Sequence, residues 1–195
     1  MENASLLEMM KELAETKMRI DTMSRSPFVI TNDSDLFKTD PYICIIVISD
    51  GMCNSGDLKV LNLEAFVNVR EFRVGNECFK CVRELKLIGL NELDSVVIGE
   101  KSFTLCGANV SERNSNRHFY LKNCPKLKSL KIGGYSFSDY SVCEIENVDA
   151  LEVIEMGELN FNYASLELQS SSRTNEMTLR LTEDQITRYW SLRLL

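Results

Sequence analysis

The sequence predicts a repeat solenoid that is mostly β: a stack of about four to five 24-residue coils with a short N-terminal helix and a C-terminal capping helix. Three observations predict this fold class. Apolar residues recur at fixed distances from four glycines, those nearest each glycine alternate with the period of a β-strand, and phenylalanine follows each glycine at the same distance. One coil alone cannot bury its apolar stripe, so we expect the coils to stack.

The repeat is anchored on glycines spaced 24, 34 and 24 residues apart, namely Gly75, Gly99, Gly133 and Gly157. Apolar residues or cysteines stand fourteen, twelve, nine, six, three and one residues before each glycine. The phenylalanines four residues after the glycines are Phe79, Phe103, Phe137 and Phe161. We expect two short half-buried strands in each coil and a phenylalanine in its interior. The glycine permits either a left-handed or a close-packed corner.

The pattern resembles the leucine-rich repeats. The stretch from Leu93 to Phe103, Leu-X-X-Val-X-Ile-X-X-X-X-Phe, is similar to the family's Leu-X-X-Leu-X-Leu-X-X-Asn-X-Leu segment. Its Ile-Gly-X-X-Ser-Phe part is closest to the BspA-like, treponemal-type class, whose repeats carry Ile-Gly-X-X-Ala-Phe. The resemblance covers about 58–168 and implies a stack of coils that binds other proteins. The chain departs from the family where asparagine is usual, at Glu77, Lys101, Tyr135 and Leu159.

The N-terminal part precedes the repeats. Residues 1–25 are predicted to form an amphipathic helical tail, with Leu6, Leu13 and Ile20 on its apolar side. This tail is interpreted as frayed or loosely docked, with a dimerising coiled coil as the alternative. Residues 26–56 are read as a linker and an N-terminal capping strand, the apolar run 42–48, which does not fit the repeat columns.

The solenoid itself is assigned to 57–169, with a polar loop insertion of ten residues within 104–118. Both neighbouring registers survive this insertion, as expected for a loop on one face of a solenoid. Residues 170–195 are assigned to a degenerate last coil and a C-terminal helix. That helix is predicted from a capping box at 182–185 followed by Ile186, Trp190 and Leu194. A truncated array is the alternative to a true cap.

Composition limits the classes of function. The formal net charge of −7 and the pI of about 4.9 oppose binding to nucleic acid. No apolar run approaches the length of a membrane helix, and no secretory signal is recognised at the N-terminus. With seven cysteines, an odd number, the thiols are expected to be reduced, as in a cytosolic or nuclear compartment, and the protein is predicted to be cytoplasmic.

The sequence predicts no enzyme, no cofactor and no metal site. Cys78 and Cys81 form a Cys-X-X-Cys, but zinc requires two further ligands, and the available His118 and Cys124 lie one to two repeats away. Cys78 also occupies the small-residue position before Phe79. A Cys/His metal-binding protein is therefore the least favoured alternative.

The outward strand positions are the predicted protein-binding residues. They are Arg73, Val97, Lys131 and Glu155 on one strand of the coil, and Lys86, Tyr120 and Glu144 on the other. Pairing of Lys131 with Glu155 and of Lys122 with Glu146 is expected between neighbouring coils. Two interpretations of these outward positions are equally favoured: a surface that binds a ligand, and a solvated face whose charges pair only with each other.

These observations favour a non-catalytic protein–protein interaction scaffold that presents a strand face to a protein or peptide. The alternative is a structural or truncated repeat protein without a specific ligand. Neither the partner nor the binding face is defined by the sequence, and the oligomeric state stays open.

Overall fold

The computed structural model describes residues 2–38, 40, 42–105, 116–162, 164–169, 178–180 and 193–194. Within these ranges the chain is mostly β. Helix α1 spans Glu2–Arg25, and a 3₁₀ helix spans Asp33–Phe37. The strands are β1 Phe28–Ile30, β2 Ile45–Ile48, β3 Val60–Asn62, β4 Glu71–Val74, β5 Glu84–Ile88, β6 Ser95–Ile98, β7 His118–Lys122, β8 Ser129–Ile132, β9 Val142–Glu146, β10 Val153–Met156, β11 Ser165–Gln169, β12 Thr178–Arg180 and β13 Arg193–Leu194.

The strands form two parallel sheets in a repeat-like stack. One sheet has seven strands in the order β1-β2-β4-β6-β8-β10-β12, and the other has six in the order β13-β11-β9-β7-β5-β3. From β3 onward, successive strands therefore alternate between the sheets. The register pairs equivalent positions of neighbouring repeats, so Phe72, Val96, Leu130 and Ile154 lie side by side. The predicted alignment of the columns is confirmed.

The core lies between the two sheets. The four repeat phenylalanines are buried and stack in sequence, with ring centroids 4.9, 4.8 and 4.9 Å apart. Each has a left-handed backbone, with φ between 47° and 57°. That conformation costs roughly 1–2 kcal/mol for a residue with a Cβ, whereas burying a phenylalanine contributes roughly 1.5–3 kcal/mol and stacking adds to it. Burial of the ring therefore offsets the backbone strain.

The repeat glycines form close-packed corners. None of the four has a positive φ; the left-handed residues lie two and four positions after each glycine. A Cβ built on Gly99 would lie 2.6 Å from the carbonyl carbon and oxygen of Gly75 in the preceding repeat. Glycine is thus required by the approach of one backbone to the next rather than by its own dihedral angles.

The N-terminal region corrects two predictions. The segment read as a linker contains β1, which pairs in parallel with β2. The run predicted to lie outside the columns forms β2, which begins at Ile45, and its register places Ile46 and Ile48 beside Phe72 and Val74. The repeat was hidden because Ser49 stands at the glycine position and Cys53 at the phenylalanine position.

The C-terminal prediction is wrong at its last residue. Leu194 was expected in a helix, but Arg193 and Leu194 form β13, in parallel register with Glu167 and Leu168. Extended backbone there continues the hydrogen-bond ladder of the six-stranded sheet. Ile186 and Trp190, the other residues of the predicted helix, lie outside the described residues. So does most of the insertion, residues 106–115.

Candidate interaction surface

The predicted binding residues fall on two separate faces. Arg73, Val97, Lys131 and Glu155 are adjacent in one row on the outside of the seven-stranded sheet. The other three, Lys86, Tyr120 and Glu144, are adjacent in a row on the outside of the six-stranded sheet. Because the sheets share one core, their outward faces point away from each other. The seven residues therefore make two patches rather than one surface.

The row on the seven-stranded sheet is longer than the sequence suggested. The pairing of β1 and β2 adds Val29 and Val47 before Arg73, and β12 adds Arg180 after Glu155. Val29 is 47% exposed and Val97 36% exposed. We call this set the valine row: Val29, Val47, Arg73, Val97, Lys131, Glu155 and Arg180. Val97 lies between the cations Arg73 and Lys131, and Val29 lies at the end of the row, which gives the row the mixed apolar and charged composition of an interface.

Two ion pairs flank Val97 in this row. Arg73 pairs with Glu71 on its own strand, and Lys131 Nζ lies 3.0 Å from Glu155 Oε2 in the next repeat. The second pair confirms the predicted cross-repeat contact. Both pairs are solvent-exposed, so each contributes at most about 1 kcal/mol and can be exchanged for contacts with a partner.

The face of the six-stranded sheet is occupied by its own charges. Lys86 Nζ lies 2.6 Å from Glu84 Oε2, and Lys122 Nζ lies 2.6 Å from Glu144 and 2.8 Å from Glu146. Hydrogen bonds to Glu144 and Glu146 raise the pKa of Lys122. The expected Lys122–Glu146 pair is confirmed, and these cations have carboxylates in place.

Tyr120, the aromatic residue of this face, is held by its neighbours. Its hydroxyl hydrogen-bonds His118 Nδ1 at 3.0 Å, and the two rings meet edge to face. Lys122 lies over the tyrosine ring at 5.6 Å. Partial burial raises the pKa of Tyr120. The only histidine of the chain is thus a partner of a tyrosine.

Charge alternates between neighbouring repeats, a feature that sequence reasoning missed. No lysine or arginine occurs from 132 to 172, while the preceding strands β7 and β8 belong to a basic repeat. That basic repeat pairs on both sides. Lys126 and Lys128 each lie 2.7 Å from a carboxylate of the previous repeat, and Lys122 and Lys131 reach the acidic repeat that follows. The stretch without basic residues was the feature of the sequence that could have revealed this difference in charge.

A buried polar ladder runs along the position before each phenylalanine. Ser102 Oγ accepts a hydrogen bond from the Cys78 N–H at 3.0 Å and donates one to the Gly75 carbonyl at 2.8 Å. Ser136 makes the same two contacts one repeat further on, at 3.0 and 2.7 Å. Asn160 donates to the corresponding glycine carbonyl at 2.7 Å. This ladder lies one residue after the position where the leucine-rich repeats usually carry asparagine.

A buried arginine follows the insertion and is a second feature that sequence reasoning missed. Arg117 is 1% exposed and donates to the carbonyls of Lys80, Val82 and Phe103 at 3.1, 2.8 and 3.0 Å. Asp139 lies 3.0 Å from it, and the Tyr140 ring lies 4.8 Å from its guanidinium carbon. Burial raises the pKa of Tyr140, whose hydroxyl donates to Val82 at 2.9 Å. The cluster joins three repeats, and we interpret it as structural.

Five of the described cysteines are buried, namely Cys44, Cys53, Cys78, Cys124 and Cys143. Cys78 and Cys124 are buried, and the Cys78 thiol lies 3.1 Å from the Ser49 carbonyl. Burial raises the pKa of Cys124 to about 11 and also raises that of Cys78. Protonated thiols are poor metal ligands. In the part of the chain that the structure describes, no three His, Cys, Asp or Glu side chains are placed to hold a metal ion.

Comparisons with protein-family models, curated proteins and solved structures find no match to this chain. No helix among the described residues has the length and the apolarity of a membrane span.

Proposed function

We propose that the protein is a non-catalytic interaction scaffold, a leucine-rich-repeat-like solenoid of the BspA-like kind that acts in the cytoplasm. It binds a protein or peptide along the valine row of the seven-stranded sheet. The observation that carries this proposal is the exposure of two valines along one row of the seven-stranded sheet. Val29 and Val97 are exposed there, whereas the six-stranded sheet exposes Val60 on its edge strand β3. Cations are paired on both faces.

The chemistry of the row defines the kind of ligand. Val29 and Val97 offer apolar contacts, and Arg73 and Lys131 offer two cations whose present pairs are weak. An extended segment with apolar side chains and carboxylates about one or two repeats apart matches that pattern. Neighbouring parallel strands are about 4.8 Å apart, so this separation is roughly 5–10 Å.

The test is proximity labelling in the native cell, followed by pulldown with purified variants. Arg73→Glu/Lys131→Glu should reduce recovery of the partner at least about tenfold, a change equivalent to about 1.4 kcal/mol. Lys86→Glu on the six-stranded sheet is the control and should leave recovery unchanged. Equal recovery by all three proteins, or loss caused by the control alone, contradicts the proposal.

A structural array without a specific ligand is the second candidate. The observation that favours it is the set of cross-repeat ion pairs, which satisfy charges without any partner. The pulldown described above distinguishes the interaction scaffold from the array without a ligand. An array without a ligand recovers no protein whose binding depends on Arg73 and Lys131.

A further inference from the structure

Helix α1 presents an apolar side that the rest of the described chain leaves uncovered. It is 24 residues long, and Leu6, Met9 and Leu13 on it are 58%, 64% and 71% exposed. Most helical stability in proteins comes from packing of an apolar side rather than from helix propensity. The helix therefore has the surface that packing requires.

One side of the helix follows a heptad register. Leu6, Leu13 and Ile20 recur every seven residues, with Met9 and Thr16 three residues after the first two. Ile20 is half-buried, and the other four are exposed. Residues at these positions form the contact line of a two-stranded coiled coil. The line contains one polar residue, Thr16, and is otherwise apolar.

The charges beside this contact line indicate which partner helix fits it. Glu12 and Lys17 flank it on opposite sides, at the positions that face each other between the helices of a parallel pair. Both are exposed, and neither takes part in the ion pairs found among the described residues. In two identical helices, Glu12 of each lies opposite Lys17 of the other. The helix is thus complementary to itself.

We propose that α1 binds α1 of a second copy of this chain as a parallel two-stranded coiled coil. A membrane surface is a poorer occupant, because residues 2–25 carry five acidic and four basic side chains. Helices that lie on membranes are rich in lysine and arginine. The dimer would place two scaffolds side by side and is independent of the ligand bound by the valine row.

Sedimentation equilibrium of the full chain over a wide range of concentrations tests the proposal. The wild-type protein should pass from monomer to dimer, and Leu13→Glu should raise the midpoint concentration at least about tenfold. The control is Met18→Glu. Met18 is 73% exposed, as Leu13 is at 71%, but lies on the opposite side of the helix, so its substitution should leave the midpoint unchanged.

A charge-exchange experiment distinguishes specific pairing of two helices from non-specific hydrophobic association. Glu12→Lys and Lys17→Glu should each weaken the homodimer, and mixing the two variants should restore a dimer because every facing pair is then of opposite charge. Three results overturn the proposal. The wild type stays monomeric at its highest soluble concentration; Leu13→Glu and Met18→Glu have equal effects; or the helix binds phosphatidylcholine–phosphatidylserine vesicles while the protein remains a monomer.

Discussion

The N-terminal strands and the central repeats reach the same parallel pairing with different residues. β2 pairs with β4 in the same way as β4 pairs with β6, yet Ser49 replaces the glycine of the central repeats and Cys53 replaces their phenylalanine. Cys53 is buried and left-handed, with φ of 58°, like the phenylalanines. The backbone path is therefore set by the alternating strand residues, and the glycine and phenylalanine determine how the corner and the interior are packed.

The reason for the difference lies in the second sheet. The six-stranded sheet begins at β3, so β1 and β2 have no counterpart strands in it among the described residues. The core on that side includes Leu36 from the 3₁₀ helix and Ile43 from the segment before β2. Side chains from irregular segments replace a strand there, and the small Cys53 takes the phenylalanine position.

The largest expected effect compares the two residues of this interior position. Phe103→Ala should lower the free energy of unfolding by about 3–5 kcal/mol, since it removes a buried ring stacked between two others and leaves a cavity. Cys53→Ala should lower the free energy of unfolding by only about 1 kcal/mol, because it removes a single buried atom, the thiol sulfur. Urea unfolding of both variants measures the difference. Equal losses would mean that the interior of the N-terminal region is packed like that of the central repeats.

A smaller effect is expected at the corner. Gly99→Ala should cost about 1–3 kcal/mol, because the added Cβ meets backbone atoms that cannot move aside. Gly56, outside the repeat corners, has open space where a Cβ would stand, with no atom within 4 Å, and its φ is not positive. Gly56→Ala is therefore the control and should be neutral or stabilise by about 0.4–1 kcal/mol through the unfolded chain. A tolerated Gly99→Ala would show that the corner is not close-packed.

The sequence was sufficient to predict the columns because burial between stacked strands demands apolar residues at every repeat. It was insufficient for the buried polar groups. Ser102 and Ser136 are residue types found more often at surfaces, and only their neighbours 24 to 37 residues away reveal that they satisfy buried backbone groups. Arg117 was missed for the same reason, since its three carbonyl partners come from distant parts of the chain.

The contacts of the outward residues could be predicted from the sequence only in part. The cross-repeat pairs were predictable, because repeat register fixes which residues are adjacent on a parallel sheet. The inclusion of Val29 and Val47 in the valine row was not, because the glycine and phenylalanine that mark a repeat are missing around β1 and β2. The candidate surface is therefore longer than the marked repeats.

The smallest expected effect concerns the outside of the central repeats. A double-mutant cycle with Lys131→Ala and Glu155→Ala should give a coupling energy below about 1 kcal/mol, because the pair is solvent-exposed. The coupling should fall further as salt screens the two charges. Urea unfolding at low and high ionic strength measures it. A coupling well above that value, or one that salt leaves unchanged, would give this face a structural role. If the coupling is weak, charge reversal at Lys131 changes ligand contacts while the fold persists. At Phe103, in contrast, any substitution that removes the ring also destabilises the fold.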